Sequence, residues 1–290
     1  MKFAQIRVSR RSVEIGVAMI ALVSLAIGAN AAFNKRTETA KAISTNQGAN
    51  LADKPARLAL VIGNGNYPDA DAPLTQQIND ARALTATLRG DGFDVDVIED
   101  ASRDDMQRAI ARLKDKIAPG SVVMLYFGGY GVQVGRESYM IPTDAAIWKE
   151  SDVRRDGFSI ETVLDVMKER GAHAKLAVID ASRRNPYERR FRTFSHGLAP
   201  INAPDNALIL SSAGPGKVMD DTNARHSVLM AELLTNLGDK NDGVEAMFGK
   251  TRNAVSRISE GGQVPSVSSS LIEDIRFSVP REASAAKAGS

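Results

Sequence analysis

The chain has 290 residues, of which 43% are hydrophobic and 25% are charged. This composition is that of an ordinary globular protein, and it excludes a wholly disordered, collagen-like or multi-span membrane protein. The absence of cysteine excludes disulfides, zinc–thiolate sites, iron–sulfur clusters and thiol catalysis. The three histidines lack the close spacing of a metal-ligand motif, so we expect no cofactor.

The net charge of +2 is concentrated near the N-terminus, where residues 1–31 contain four basic residues and one acidic residue. The rest of the chain has one more acidic than basic residue. Only 5% of the residues are aromatic. The sequence therefore predicts neither a basic face nor a stacking platform for nucleic acid, and we expect no nucleic-acid partner.

Residues 1–31 have the pattern of a targeting segment. Basic residues precede an uncharged run at 15–29, and Ala29, Asn30 and Ala31 then form a plausible cleavage site. The run is shorter than the roughly 20 apolar residues of a transmembrane helix, which favours a cleaved signal peptide. An uncleaved inner-membrane anchor is the alternative, and it would be the only membrane contact. Both predict a periplasmic or secreted domain outside the cytoplasm.

Composition divides the remainder of the chain into three parts. Residues 32–56 are polar, without a hydrophobic period, and indicate a linker. Residues 57–279 form one predicted domain. Residues 280–290 are mostly small, and we expect a disordered tail.

The predicted domain alternates strands with helices. Apolar runs predict strands at 58–62, 93–98, 122–127, 176–179 and 207–210, with a last strand at a sheet edge at 271–277. Three- and four-residue spacing of apolar residues predicts helices at 80–89, 104–117, 159–170, 227–237 and 244–258. This order is typical of an α/β fold with three layers, in which helices cover both faces of a mostly parallel sheet.

Ligands bind such sheets outside the carboxyl ends of the strands, and several polar residues follow strands here. Ser182 follows a buried strand as a nucleophile would, but it lacks the GxSxG elbow, and no histidine is placed as an obvious base. Asp80 and Asp180 are predicted at the same edge, although Asp80 also fits a helix N-terminus. Five arginines within 183–192 fit either a solvated loop or a docking patch for an acidic partner.

A series of short segments has the order found in one known family. The segments include LALVIGN at 58–64, NDA at 79–81, GFDV at 92–95, YMIPTD at 139–144, DASRRNP at 180–186, AGPGK at 213–217 and QVP at 263–265. In these segments the chain resembles the bacterial caspase-like proteins of the metacaspase and paracaspase group, in peptidase clan C14. The resemblance implies a caspase–haemoglobinase fold, in agreement with the predicted sheet.

The resemblance also implies that both catalytic positions are substituted. Peptidases of this group have a histidine in a Tyr-x-Gly-His-Gly-like segment and a cysteine in an Asp-x-Cys-Arg segment. Tyr130 stands at the first position, in YFGGYG, and Ser182 stands at the second, in DASR. A tyrosine with a pKa near 10 is a poor base at neutral pH, and a serine needs a strong base to become nucleophilic. A catalytically inactive pseudo-peptidase is therefore expected.

In relatives with basic specificity, carboxylates matching Asp80 and Asp180, with Asp220 as a third, line a pocket for a substrate Arg or Lys. The same residues here imply an acidic cleft that binds a polypeptide partner by charge-assisted hydrogen bonds. Two alternatives remain open. One is a hydrolase or peptidase of altered chemistry that uses Ser182 as nucleophile, and the other is a structural or interaction module.

Overall fold

The computed structural model describes residues 55–68, 73–191, 197–220, 224–239 and 242–277. A compact unit begins at Ala56. The predicted leader, nearly all of the linker and the tail lie outside the described residues. Within the described ranges, no helix has both the length and the apolar character that crossing a membrane requires.

The described residues alternate strands and helices along the chain. In chain order the elements are β1 (Arg57–Gly63), α1 (Thr75–Gly90), β2 (Asp94–Glu99), α2 (Arg103–Lys116), β3 (Val122–Gly128), β4 (Gly131–Val134), β5 (Glu137–Met140), α3 (Glu150–Asp156), β6 (Phe158–Ser159), α4 (Ile160–Glu169), β7 (Ala174–Asp180), β8 (Ala207–Ser211), α5 (Val228–Leu237), α6 (Val244–Ile258) and β9 (Ser266–Ser269). A 3₁₀ turn lies at Glu188–Arg190.

Six strands form the central sheet in the order β2-β1-β3-β7-β8-β9. All neighbouring strands are parallel except β8 and β9, which are antiparallel. A small antiparallel sheet of β4, β5 and β6 follows β3. The mostly parallel α/β sheet predicted from the apolar runs is confirmed.

The sheet is buried on both faces because alternate residues of its inner strands enter two different hydrophobic clusters. In β3, Met124 and Tyr126 join a cluster with Leu84 of α1 and Phe248 of α6. Their neighbour Leu125 joins the opposite cluster, which contains Met106 of α2 and Leu164 of α4. Helices on both faces therefore complete the three predicted layers.

Ser102 and Ser227 are the N-cap residues of α2 and α5. The hydroxyl of Ser102 accepts the backbone N–H of Asp105 at the start of α2. The hydroxyl of Ser227 accepts that of Met230 at the start of α5. Serine is a favoured N-cap because its oxygen satisfies one of the unpaired N–H groups of the first turn. The backbone N–H of Ser227 also donates to Asp80, which joins the start of α5 to α1.

The strand predicted at 271–277 is wrong. The antiparallel edge strand is β9, which pairs Ser269 with Leu208 and Ser266 with Ser211. Ile275 and Phe277 are buried because they pack against the hydrophobic core without pairing in the sheet. The centroid of the Phe277 ring lies 5.1 Å from that of Phe93. The Phe277 carbonyl accepts a hydrogen bond from the Arg57 guanidinium.

Candidate active site

The carboxyl ends of β1, β3 and β7 meet at one edge of the sheet. Gly63 pairs with Gly128, which in turn pairs with Asp180. Beyond the strands the pairing continues, since Gly129 N–H donates to the Asp180 carbonyl at 3.3 Å and Gly131 N–H to the Ala181 carbonyl at 3.1 Å. Segments 129–131 and 180–182 therefore run side by side, which brings the backbones of the two predicted dyad positions together.

Tyr130 is held in this edge by a second tyrosine. Its backbone N–H donates to the Tyr67 hydroxyl at 3.1 Å, and that hydroxyl donates to the Ile141 carbonyl at 2.9 Å. The two rings pack edge to face, with centroids 4.8 Å apart, a favoured aromatic geometry. Burial raises the pKa of Tyr67 above its usual value, so Tyr67 serves as a neutral hydrogen-bonding support for Tyr130.

Ser182 is fully buried just after β7. Its backbone N–H donates to the Ser212 hydroxyl at 3.2 Å, and its carbonyl accepts the Met219 N–H at 2.8 Å. The Ser182 Oγ makes no hydrogen bond with any residue that the structure describes. A serine nucleophile needs a base in contact with this oxygen, and within the described part of the chain it has none.

Asp80 is fully buried on α1 and bonded on both oxygens. Its Oδ1 lies 2.7 Å from His226 Nδ1, and its Oδ2 accepts the Ser227 N–H at 3.2 Å. Burial and, second, the charge of Asp180 raise the pKa of Asp80 to about 6, against the lowering effect of these hydrogen bonds. Because α1 begins at Thr75, the predicted helix start near residue 80, with Asp80 as its cap, is wrong.

Asp180 ends β7 and is equally buried, but its carboxylate is bonded differently. Neither carboxylate oxygen makes a hydrogen bond with a described residue. Among the described residues its ion-pair partner is Arg183, whose Nη2 lies 3.5 Å from Oδ1. Arg183 Nη1 instead donates to the carbonyls of Gly129 and Asp180. The Asp180 carboxylate therefore lies near a cation, but its two oxygens accept no hydrogen bond from the described residues.

Two further polar side chains, Gln77 and Tyr126, lie beside Gly128 at this edge of the sheet. The Tyr126 hydroxyl and both amide atoms of Gln77 are buried without a hydrogen-bond partner in the described residues. Burial and, after it, the charges of Asp80 and Asp180 raise the pKa of Tyr126 well above its usual value. Buried polar groups are normally satisfied, and leaving them unpaired costs free energy, so this cluster is typical of a functional site.

The outcome for the predicted residues is mixed. Asp80 and Asp180 are close enough for each other's charge to matter. Asp220 is exposed, and within the described ranges it has neither a hydrogen bond nor an ion pair. Arg183, predicted as part of a solvated loop or docking patch, is 3% exposed. The sequence did not single out Gln77, Tyr126 or the partnership of His226 with Asp80, although buried polar residues recur along α1.

A family model described as Caspase domain (Peptidase_C14) matches residues 56–276, which is most of the chain. The chain belongs to the caspase domain family. The resemblance to the C14 clan, inferred from the short segments, is thereby confirmed.

The caspase domain is also similar to two mammalian proteins. Mucosa-associated lymphoid tissue lymphoma translocation protein 1 of Homo sapiens is 29% identical over 136 residues, and the homolog of Mus musculus matches equally well. Each alignment covers 46% of this chain but only 16% of the relative. The matched region is thus a small part of those proteins, and the alignment does not extend to the rest of either one.

Proposed function

We propose that this caspase domain binds a polypeptide through an Arg or Lys side chain, and that it does so without cleaving it. One observation carries the proposal: neither carboxylate oxygen of Asp180 accepts a hydrogen bond from a described residue, and the second buried carboxylate, that of Asp80, is close enough for the two charges to interact. A guanidinium offers several N–H donors in a planar fork that matches a carboxylate. A basic side chain is therefore the ligand group that would best use these oxygens.

The balance of charge supports a cationic ligand. Asp80 and Asp180 place two acidic groups in the buried edge, and Arg183 faces one of them. The neighbouring groups of Tyr126 and Gln77 are neutral and add hydrogen-bonding capacity. Burying an uncompensated carboxylate is costly, and a bound cation would relieve that cost.

The absence of cleavage is supported by the surroundings of Ser182. A serine hydroxyl becomes nucleophilic only with an adjacent base, and the described residues offer its Oγ no hydrogen bond. His226, which contacts the acidic pair, is bonded to Asp80 instead. Tyr130, which stands at the expected histidine position, has a phenol that is a poor base at neutral pH.

We also propose that the domain is exported, on the evidence of the basic start and apolar run of residues 1–31. A cleaved signal peptide and an uncleaved anchor predict different N-termini in mature protein. A reporter that is active only outside the cytoplasm, fused after Gly48, should be active. A reporter that is active only inside the cytoplasm should be inactive when it is fused at the same position. The reverse pattern of the two reporters would contradict export.

The binding proposal is tested by a matched pair of peptides. One contains a central arginine, and the other contains citrulline, which has nearly the same shape but no charge. Calorimetric titration of the wild-type protein at neutral pH should give a clearly tighter dissociation constant for the arginine peptide. Equal constants for the two peptides would contradict an acidic binding pocket.

A further inference from the structure

His226 covers one of the two carboxylates. The imidazole side chain is 24% exposed, whereas the Asp80 carboxylate that it contacts is 0% exposed. With Nδ1 2.7 Å from Asp80 Oδ1, the contact favours a proton on Nδ1. The other ring nitrogen, Nε2, is then the atom that gains or loses a proton. His226 therefore lies between Asp80 and solvent.

The segment that carries His226 is fastened to α1. Gln76 Nε2 donates to the Ala224 carbonyl at 2.9 Å, and Asn79 Nδ2 donates to the Arg225 carbonyl at 3.2 Å. Ser227, as the N-cap of α5, fixes the other end through its own N–H bond to Asp80. The position of the imidazole is thus built by several hydrogen bonds rather than by one exposed contact.

The charged and titratable groups around this pair come from several elements. Asp180 ends β7, Arg183 follows it, Tyr126 lies on β3, and Arg225 is exposed in the same segment as His226. Tyr126 is neutral because its pKa is raised. With His226 protonated, the imidazolium and Arg183 balance the two carboxylates. With His226 neutral, the buried cluster carries one uncompensated negative charge.

We propose that protonated His226 supplies a positive charge to the acidic pocket when no ligand is bound. The Arg or Lys side chain of a bound ligand supplies that positive charge instead. Binding of that side chain expels one proton from His226: the Nε2–H bond breaks, the proton passes to water or buffer, and the neutral ring keeps its Nδ1–H bond to Asp80. The inference rests on the proposed binding function, and it adds that affinity for a basic side chain rises with pH as His226 loses its proton.

The direct test follows His226 itself by nuclear magnetic resonance. The chain has three histidines, and His226→Gln assigns the imidazole signal of His226 while keeping a neutral hydrogen-bond donor. The titration of wild-type protein is recorded alone, with the arginine peptide and with the citrulline peptide. The arginine peptide should lower the titration midpoint of His226 by about one pH unit, a tenfold coupling. The citrulline peptide should leave the midpoint in place.

His173 supplies the internal control. It lies at the amino end of β7, paired with Glu273 at 2.6 Å, so its titration should not respond to either peptide. Calorimetry in two buffers of different ionisation enthalpy should show proton release on binding to wild type. That release should be much smaller for His226→Gln.

The outcomes separate the two proposals. If the arginine peptide binds better than the citrulline peptide but the His226 midpoint does not move, the inference is wrong and the binding function stands. If the arginine peptide has no advantage at any pH in wild type or in His226→Gln, both are wrong. A lowered midpoint that persists in Asp180→Asn would also overturn the inference, because the effect would then not depend on the pocket.

Discussion

Gly128 and Asp180 are register partners at the ends of β3 and β7. Because the hydrogen bonds from Gly129 and Gly131 continue this pairing, Tyr130 and Ser182 each stand two positions beyond it. Their hydroxyls are not joined, since Ser182 Oγ makes no hydrogen bond with a described residue. The frame that would hold a histidine beside a cysteine is therefore present, without the chemistry of that pair.

The first prediction concerns restoring that chemistry. Tyr130→His combined with Ser182→Cys should produce cleavage of reporter peptides after Arg or Lys, because an imidazole would then lie beside a thiol. Either single change should give almost nothing, since residues that act as a unit are strongly non-additive. Fluorogenic peptide assays at neutral pH measure this, with Tyr130→Phe/Ser182→Ala as the control. Substantial activity in one single variant would contradict the assignment of the pair.

The second prediction concerns Asp180. Asp180→Asn should weaken binding of the arginine peptide by roughly 10- to 150-fold, since a hydrogen bond to a charged group contributes about 1.5–3 kcal/mol. Calorimetry measures the dissociation constants. The matched control is Asp165→Asn, which changes an exposed carboxylate on α4 and should leave the affinity unchanged. Equal losses in both variants would indicate a general charge effect rather than a pocket.

The third prediction concerns the pH dependence of stability. The pKa of Asp80 is about 6 in the folded protein against 3.8 for the free group, so the folded state holds this proton more tightly. The contribution of Asp80 to the free energy of unfolding therefore falls as pH rises from about 4 to about 6. The shift corresponds to roughly 3 kcal/mol at most.

Urea unfolding can isolate this effect in the His226→Gln background, where the neighbouring imidazole no longer titrates. The hydrogen bond from His226 lowers the pKa of Asp80, so this pKa stays raised whether or not the amide of the His226→Gln variant replaces that bond. Adding Asp80→Asn should become progressively more favourable as pH rises through this window. A difference that stays constant, or that shrinks with rising pH, would show that the pKa of Asp80 is not raised.

The fourth prediction concerns the contact between the two site segments. A Cβ on Gly131 would lie 2.6 Å from Leu198 Cδ2 and 2.9 Å from the Ala181 carbonyl oxygen. Gly131→Ala should lower the free energy of unfolding by roughly 1–3 kcal/mol, the usual cost of overpacking. Gly249→Ala is the control, because a Cβ there meets nothing within 4 Å. A helix-interior change of this kind should be stabilising, and similar effects at both positions would contradict the close approach.

The central sheet was predictable because most of its strands are short apolar runs, whose side chains are buried on both faces of the sheet. Where that signal fails, the prediction fails too. The strand β9 has the sequence SVSS and lies at the edge with partly exposed residues, so it carries no apolar run. Residues 271–277 are rich in apolar side chains and alternate only from residue 274 onward, and Ile275 and Phe277 pack against the core without forming a strand.

The carboxylates of the site were predictable as a pair, but their partners were not. His226 and Asp80 are 146 positions apart, and no local pattern links residues at that separation. Arg183 belongs to a run of arginines that is typical of a solvated loop, but in the fold it is buried, with hydrogen bonds to the carbonyls of Gly129 and Asp180 and an ion pair with the Asp180 carboxylate. Such contacts arise from tertiary packing, which periodicity does not encode.

A caspase domain that holds a basic peptide without cutting it differs from a peptidase in one measurable way, the fate of the bound peptide. The most direct measurement is mass spectrometry of the arginine peptide recovered from its complex with wild-type protein after long incubation at neutral pH, with Ser182→Ala in parallel. We expect the peptide to be retained by both proteins and recovered intact. Cleaved peptide from wild type but not from Ser182→Ala would contradict the account and identify Ser182 as a working nucleophile.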